Sequence, residues 1–97
     1  MRILGIDPGS SRIGYGLIEQ GREIKIVKYG VIEIKEKLAA RRLEKLGRSL
    51  SKLLGECSPD CAGVEQLYLS KNRLTALSVA EARGVIIKTW AEHGITV

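Results

Sequence analysis

The hydrophobic period of this chain changes once, near Leu38, and that change limits its fold more than any other feature. Upstream the apolar residues come in short or alternating runs, as in strands; downstream they recur at three- and four-residue steps, as on a helix face. Residues 2–7 (Arg-Ile-Leu-Gly-Ile-Asp) form an apolar run stopped by Pro8-Gly9, which reads as a buried strand meeting a turn. Tyr15 to Gln20 reads as a second strand, and Gln20-Gly21-Arg22 as a tight hairpin. Ile24, Ile26 and Tyr29 alternate with Lys25 and Lys28, the pattern of a half-buried third strand. Gly30 interrupts it as a bulge before Val31, Ile32 and Ile34 resume.

From Leu38 onward Leu43, Leu46, Leu50, Leu53 and Leu54 predict an amphipathic helix closed near Gly55. Ala62-Gly63-Val64-Glu65 then reads as a short strand ending in a carboxylate. Reached through a helical crossover, it should lie parallel to an earlier strand. A second helix is expected from about Asn72 to His93, with Asn72 or Thr75 as N-cap. It carries two apolar stripes: Leu77, Ala80, Gly84, Ile87 and Ala91, and Val79, Ala82, Val85, Ile86 and Trp90. Two stripes need two partners, the sheet and something else, and Ala80 and Gly84 are small enough for close helix approach. Gly94 ends the helix, and Ile95-Thr96-Val97 reads as the start of a fifth strand that stops abruptly, as in a truncated chain. Ninety-seven residues, 44% of them hydrophobic, suit one domain built on one core. No apolar run approaches the roughly 20 residues of a membrane span, and Met1-Arg2 leads into no signal-peptide pattern. A cytoplasmic protein with no membrane partner is expected. Cys57 and Cys61 are read as two free thiols, one of them packed into the core.

The net charge of +5 is uneven. Residues 1–21 balance, residues 53–97 sum to −1, and residues 22–52 hold ten bases against four acids. Such a basic run is the electrostatic footprint of a polyanion binder or, equally, a solvated helix face. The chemical signal is the pair Asp7 and Glu65, each ending an apolar strand where an unpaired carboxylate is costly. Brought together at the carboxyl ends of parallel neighbours, they would suit Mg²⁺ or Mn²⁺ and in-line phosphodiester chemistry. The bland alternative has Asp7 capping its turn and Glu65 paired with Lys71 or Arg12. A third reading takes Asp7-Pro8-Gly9-Ser10-Ser11 as a phosphate cradle, like the opening turn of actin-like and sugar-kinase-like nucleotide-binding modules.

Gly5-Ile6-Asp7-Pro8-Gly9-Ser10 with Gly14-Tyr15-Gly16, then Val64-Glu65-Gln66, Lys71-Asn72 and Glu81-Ala82-Arg83-Gly84, together resemble the RuvC family of Holliday-junction resolvases. The resemblance runs from Met1 to Val97. It implies an α/β, RNase H-like fold: a five-stranded mixed sheet, formed by a three-stranded antiparallel meander plus parallel strands, with helices on both sides. It implies a Mg²⁺-dependent endodeoxyribonuclease, with Mn²⁺ possible, that nicks four-way junctions in recombination and repair, acts as a homodimer and works beside a branch-migration helicase. Asp7 and Glu65 match the family's metal-binding catalytic carboxylates. Ser10, Arg12, Tyr68, Lys71, Asn72 and Arg73 are the implied DNA contacts, Tyr68 by stacking on an unpaired base, with the basic residues of 22–52 as further phosphate candidates. Leu77, Ala80, Glu81, Gly84 and Ile87 are the implied dimer face. The family completes its metal site with two acids on a later helix that this chain does not contain. The expectation is therefore a nuclease domain incomplete at its C-terminus, inactive by itself, or a non-catalytic DNA-binding or dimerising piece.

Overall fold

A computed structural model describes residues 1–9, 11–64 and 73–95. The chain runs β1 (Arg2–Asp7), β2 (Arg12–Gln20), β3 (Ile24–Glu33), α1 (Ala39–Cys57), β4 (Cys61–Val64) and α2 (Arg73–Glu92). The sheet order is β3-β2-β1-β4. β1 pairs antiparallel with β2, with Leu4 opposite Leu17 and Asp7 opposite Gly14. It pairs parallel with β4, Leu4 beside Ala62 and Gly5 beside Gly63. The meander, the crossover helix and the parallel strand follow the sequence expectations. The sheet has four strands among the described residues rather than the expected five. Ile95 lies in no strand; its N–H is drawn back to the Trp90 carbonyl by the helix cap, and residues 96–97 lie outside the described region.

The pleat separates two faces. Leu4, Ile6, Ile13, Leu17 and Ala62 point to one side and are buried, in one cluster with Leu46, Leu50, Leu53 and Leu54 of α1 and Ala82, Ile86 and Trp90 of α2. Both described helices therefore cover the same face, whereas helices on both faces were expected. The opposite face carries Gly5, Asp7, Gly16 and Gly63, and a Cβ built on Gly16 or Gly63 would meet nothing within 4 Å. At Gly47 the two helices pack side by side: a Cβ there would make an ordinary contact with Val85 Cγ1 at 3.6 Å.

β3 departs from its expected half-burial. It is an edge strand, and Ile24, Ile26, Tyr29 and Val31 are exposed. Tyr29 and Val31 stand opposite Gly16 and Gly14, on the face that no described helix covers. The register shift lies between Leu17 and Ile18, opposite Lys28 and Ile26, and not at Gly30. Gly30 has a different reason to be glycine: a Cβ there would sit 2.7 Å from Tyr15 Oη, because the tyrosine ring lies over it. Aromatic cover of a strand glycine is a recurrent way to fix strand register.

α1 runs through Gly55 and ends at Cys57, two residues beyond the expected stop. Ser58 takes the left-handed conformation (φ 45°, ψ 57°), its N–H bonds the Leu54 carbonyl, and Pro59 prevents continuation. Arg2 supports this end: Nη1 donates to the Cys57 carbonyl at 3.0 Å, Nε to Glu19 at 3.2 Å, and the backbone N–H to Asp60 at 2.7 Å. A cation on the last carbonyls of a helix opposes the negative end of its dipole. α2 ends at Gly94 (φ 68°), with Ile95 N–H on the Trp90 carbonyl and Gly94 N–H on the Ala91 carbonyl, the paired bonds of a Schellman cap. No described helix is long and apolar enough to cross a membrane.

Candidate active site

Asp7 ends β1, the strand flanked by both β2 and β4, so its carboxylate stands at the carboxyl edge of the sheet's parallel pair. It is exposed on the helix-free face. Gly14, its register partner, contributes no side chain beside it; a Cβ there would come 3.8 Å from Asp7 Cβ. The flank of the carboxylate is thus open to a ligand of some size. The turn that follows is tight. A Cβ on Gly9 would be driven into the Arg12 carbonyl oxygen, so glycine is required where the chain reverses. The Ser11 carbonyl accepts from Ile34 N–H at 2.8 Å and ties this loop to the end of β3.

Arg12 shares the face of Asp7 and Gly14 by strand alternation and pairs with Glu33 across the β2–β3 ladder at 3.5 Å. Its side chain is 70% exposed, so the ion pair is a weak, displaceable one. Gly63 and Val64 of β4 lie beside Gly5 and Ile6. Glu65 follows them in sequence and, with Ser10, Tyr68, Lys71 and Asn72, lies outside the described residues. Arg73 is the first residue of α2. The structure therefore brings Asp7 and Arg12 to one end of one sheet face and leaves the other expected contacts untested.

Among the described residues no three potential metal ligands cluster. Asp7 offers hard oxygen donors at an open strand end, a donor type that fits a magnesium-like cation. The expected dimer face is well separated from the core. Ala82, Ile86 and Trp90 point inward, whereas Glu81 and Gly84 are exposed and Leu77 is 64% exposed; Ala80 and Ile87 are half-buried. The stripe that packs on the sheet is thus the one through Ala82 and Trp90, and the other is left on the surface. His93, which sequence gave no role, sits past α2 with Nδ1 donating to the Thr89 carbonyl at 2.9 Å, a helix-end contact.

Comparison with known proteins identifies the lineage. The family model described as crossover junction endodeoxyribonuclease RuvC matches residues 3–97. The chain belongs to the RuvC family. It is 42% identical to the crossover junction endodeoxyribonuclease RuvC of Caldicellulosiruptor saccharolyticus, over all of this chain and 60% of that protein. It is 44% identical to the RuvC of Syntrophomonas wolfei, over all of this chain and 58% of that one. The RuvC of T. thermophilus, solved in complex with a Holliday junction substrate, shares the fold with a TM-score of 0.87 at 20% identity, covering 98% of this chain and 62% of that one. The chain thus spans about 60% of the length of the RuvC relatives it matches. The match takes in all five blocks of the sequence motif, from Gly5–Ser10 to Glu81–Gly84.

Proposed function

We propose that the protein is a structure-selective endodeoxyribonuclease that resolves four-way junctions by metal-dependent phosphodiester hydrolysis. The observation that carries this reading is Asp7, held open at the carboxyl end of the central strand beside parallel β4 in a chain of the RuvC family. Asp7 and Glu65, the carboxylates the family motifs carry, are the proposed ligands for Mg²⁺, or Mn²⁺ in its place. A cation so held supplies an activated water and charge stabilisation for the leaving 3′ oxygen. Asp7 and Glu65 would contribute negative oxygens to the cation, and the bare Gly5, Gly14 and Gly63 backbone admits a bulky phosphodiester to the Asp7 edge. Two carboxylates are a thin shell for hard cations, so further ligands are proposed from the part of the family's length that this chain does not span.

Ser10, Arg12, Lys71, Asn72 and Arg73 are the proposed backbone contacts nearest the scissile bond, and Tyr68 the residue that stacks on an unpaired base. The outward stripe of α2, Leu77, Ala80, Glu81, Gly84 and Ile87, is proposed to join two copies. Two-fold symmetry then matches two strands of like polarity in a four-way substrate. A helicase partner and a cytoplasmic setting, which suits the free thiols of Cys57 and Cys61, belong to the same reading. The nucleotide-module alternative loses its support because the family match takes in the same Asp7–Ser11 loop. The test is competition binding of the full-length protein to a four-way junction and to linear duplex of the same sequence. Preference for the junction, weakening steeply with salt, is expected. Equal affinity for both would remove structure selectivity from the proposal.

A further inference from the structure

The basic surplus of residues 22–52 is contiguous in sequence but divided in space. Arg22, Lys25 and Lys28 lie on the hairpin side of β3, away from Asp7. There Lys25 is paired in register with Glu19, Lys28 bonds Glu56 at 3.3 Å, and Glu23 sits in the same turn. Charge on that side is partly offset by these acids, Glu19 also bridging Arg2 and the N-terminal amine. From Glu33 to Lys52 seven bases face three acids, and Arg12 adds an eighth from the loop beside Asp7. All eight are exposed except Arg42, which is half-buried and spends Nη1 on the Glu36 and Lys37 carbonyls.

Two surface concavities connect this charge to the Asp7 edge. Ser11, Arg12, Glu33, Ile34 and Lys35 line the first; Glu33, Ile34, Lys35, Lys45, Arg48 and Ser49 line the second. They share Glu33, Ile34 and Lys35, so they form one trough leading from the loop after Asp7 onto α1. The cations along it are restrained by single carboxylates on the surface: Arg12 with Glu33, Lys45 with Glu36, and Arg48 with Glu44 at 3.0 Å. The Arg48 side chain is 77% exposed. The exposed pairs of Arg12 with Glu33 and Arg48 with Glu44 are weak, so a phosphate can take over those cations at little cost. Of these carboxylates Glu33 itself lines the trough, and Glu44 lies beside it on α1.

We propose that the trough bounded by Arg12, Lys35, Lys45 and Arg48 seats the phosphate backbone of one duplex arm as it leaves the Asp7 edge. This rests on the nuclease reading and adds to it the path of the DNA, along the N-terminal half of α1 and not along the β2–β3 hairpin. Neutralising a phosphate contact removes about 0.9 from the slope of log Kobs against log salt.

The test measures junction affinity of the full-length protein from low to moderate salt. In the triple variant Lys35→Gln, Lys45→Gln, Arg48→Gln the slope should fall by about 2 to 3. In the matched control Arg22→Gln, Lys25→Gln, Lys28→Gln it should not change. Removal of the competing carboxylates in Glu33→Gln, Glu44→Gln should tighten binding severalfold, a gain that a folding defect would not produce. An unchanged slope in the trough variant, an equal loss in the control, or no gain from the carboxylate variant overturns the path while leaving the nuclease reading intact. No junction binding by the unaltered protein at low salt overturns both.

Discussion

At the scale of single residues, three side chains carry constraints that alternation and period do not reveal. Gly30 is glycine because the Tyr15 ring occupies the space above it. Gly30→Ala should lower stability by about 1–3 kcal/mol through overpacking, and adding Tyr15→Leu should recover much of that loss. Additive losses in chemical denaturation would show that the two do not interact. Ser58 adopts a left-handed backbone that costs a non-glycine residue about 1 kcal/mol, so Ser58→Gly should raise stability by up to that amount. Lys28 has its pKa raised, first by its hydrogen bond to Glu56 and then by the charge of that carboxylate. A raised folded-state value means the charged pair is fully present below the ordinary 10.5 and lost as pH rises through the higher folded value. The melting difference between Lys28→Met and the parent should therefore be flat from neutral pH upward and shrink only above that point. A difference that already closes near neutral pH would assign the effect to another group.

Among the elements, α1 was the most legible in sequence, because its leucines repeat cleanly and face one cluster. Its ends were less so. Gly55 looked like a terminator, yet nothing in its surroundings asks for positive φ, and Pro59 sets the stop instead. The start is Leu38, extended at φ −79°, ψ 127°, with no side-chain cap and no acid in the first turn. Leu38→Asp should stabilise the protein by about 1 kcal/mol by supplying both a cap acceptor and a charge suited to the dipole. An unchanged melting temperature would indicate that the α1 N-terminus is already satisfied. β3 was placed correctly and its exposure was not, because period two tells which residues share a face and never what covers that face. α2 illustrates the same limit: two apolar stripes were visible, and only packing showed that Trp90 faces in and Leu77 out. Trp90→Ala should cost about 3–5 kcal/mol, a large part of a small domain's stability.

For the whole molecule, the sheet order follows from rules that act on sequence: a meander, then a crossover helix returning a parallel strand to the first. That order is what sets Asp7 at an open strand end with β4 alongside. The position of Asp7 at the end of β1 was legible from the apolar run and the Pro8-Gly9 turn, while its exposure was not: the burial cost that drew attention to it does not apply on the open face. The charge division between the two ends of β3 was not legible, since it depends on which acids the fold returns to which bases. Association of two copies through the outward stripe of α2 predicts that Gly84→Arg shifts the full-length protein toward monomer in sedimentation, with its fold retained. Unaltered dimers would place the interface elsewhere.

The account turns on Asp7 and Glu65 as ligands for a reaction-supporting cation. Single-turnover nicking of a preformed four-way junction by the full-length protein, in Mg²⁺, tests this directly beside Asp7→Asn and Glu65→Gln. Each variant should bind the junction about as well as the parent and nick it roughly 100-fold more slowly or worse, a loss of about 3 kcal/mol in transition-state stabilisation. Nicking at the parental rate by either variant would contradict the assignment.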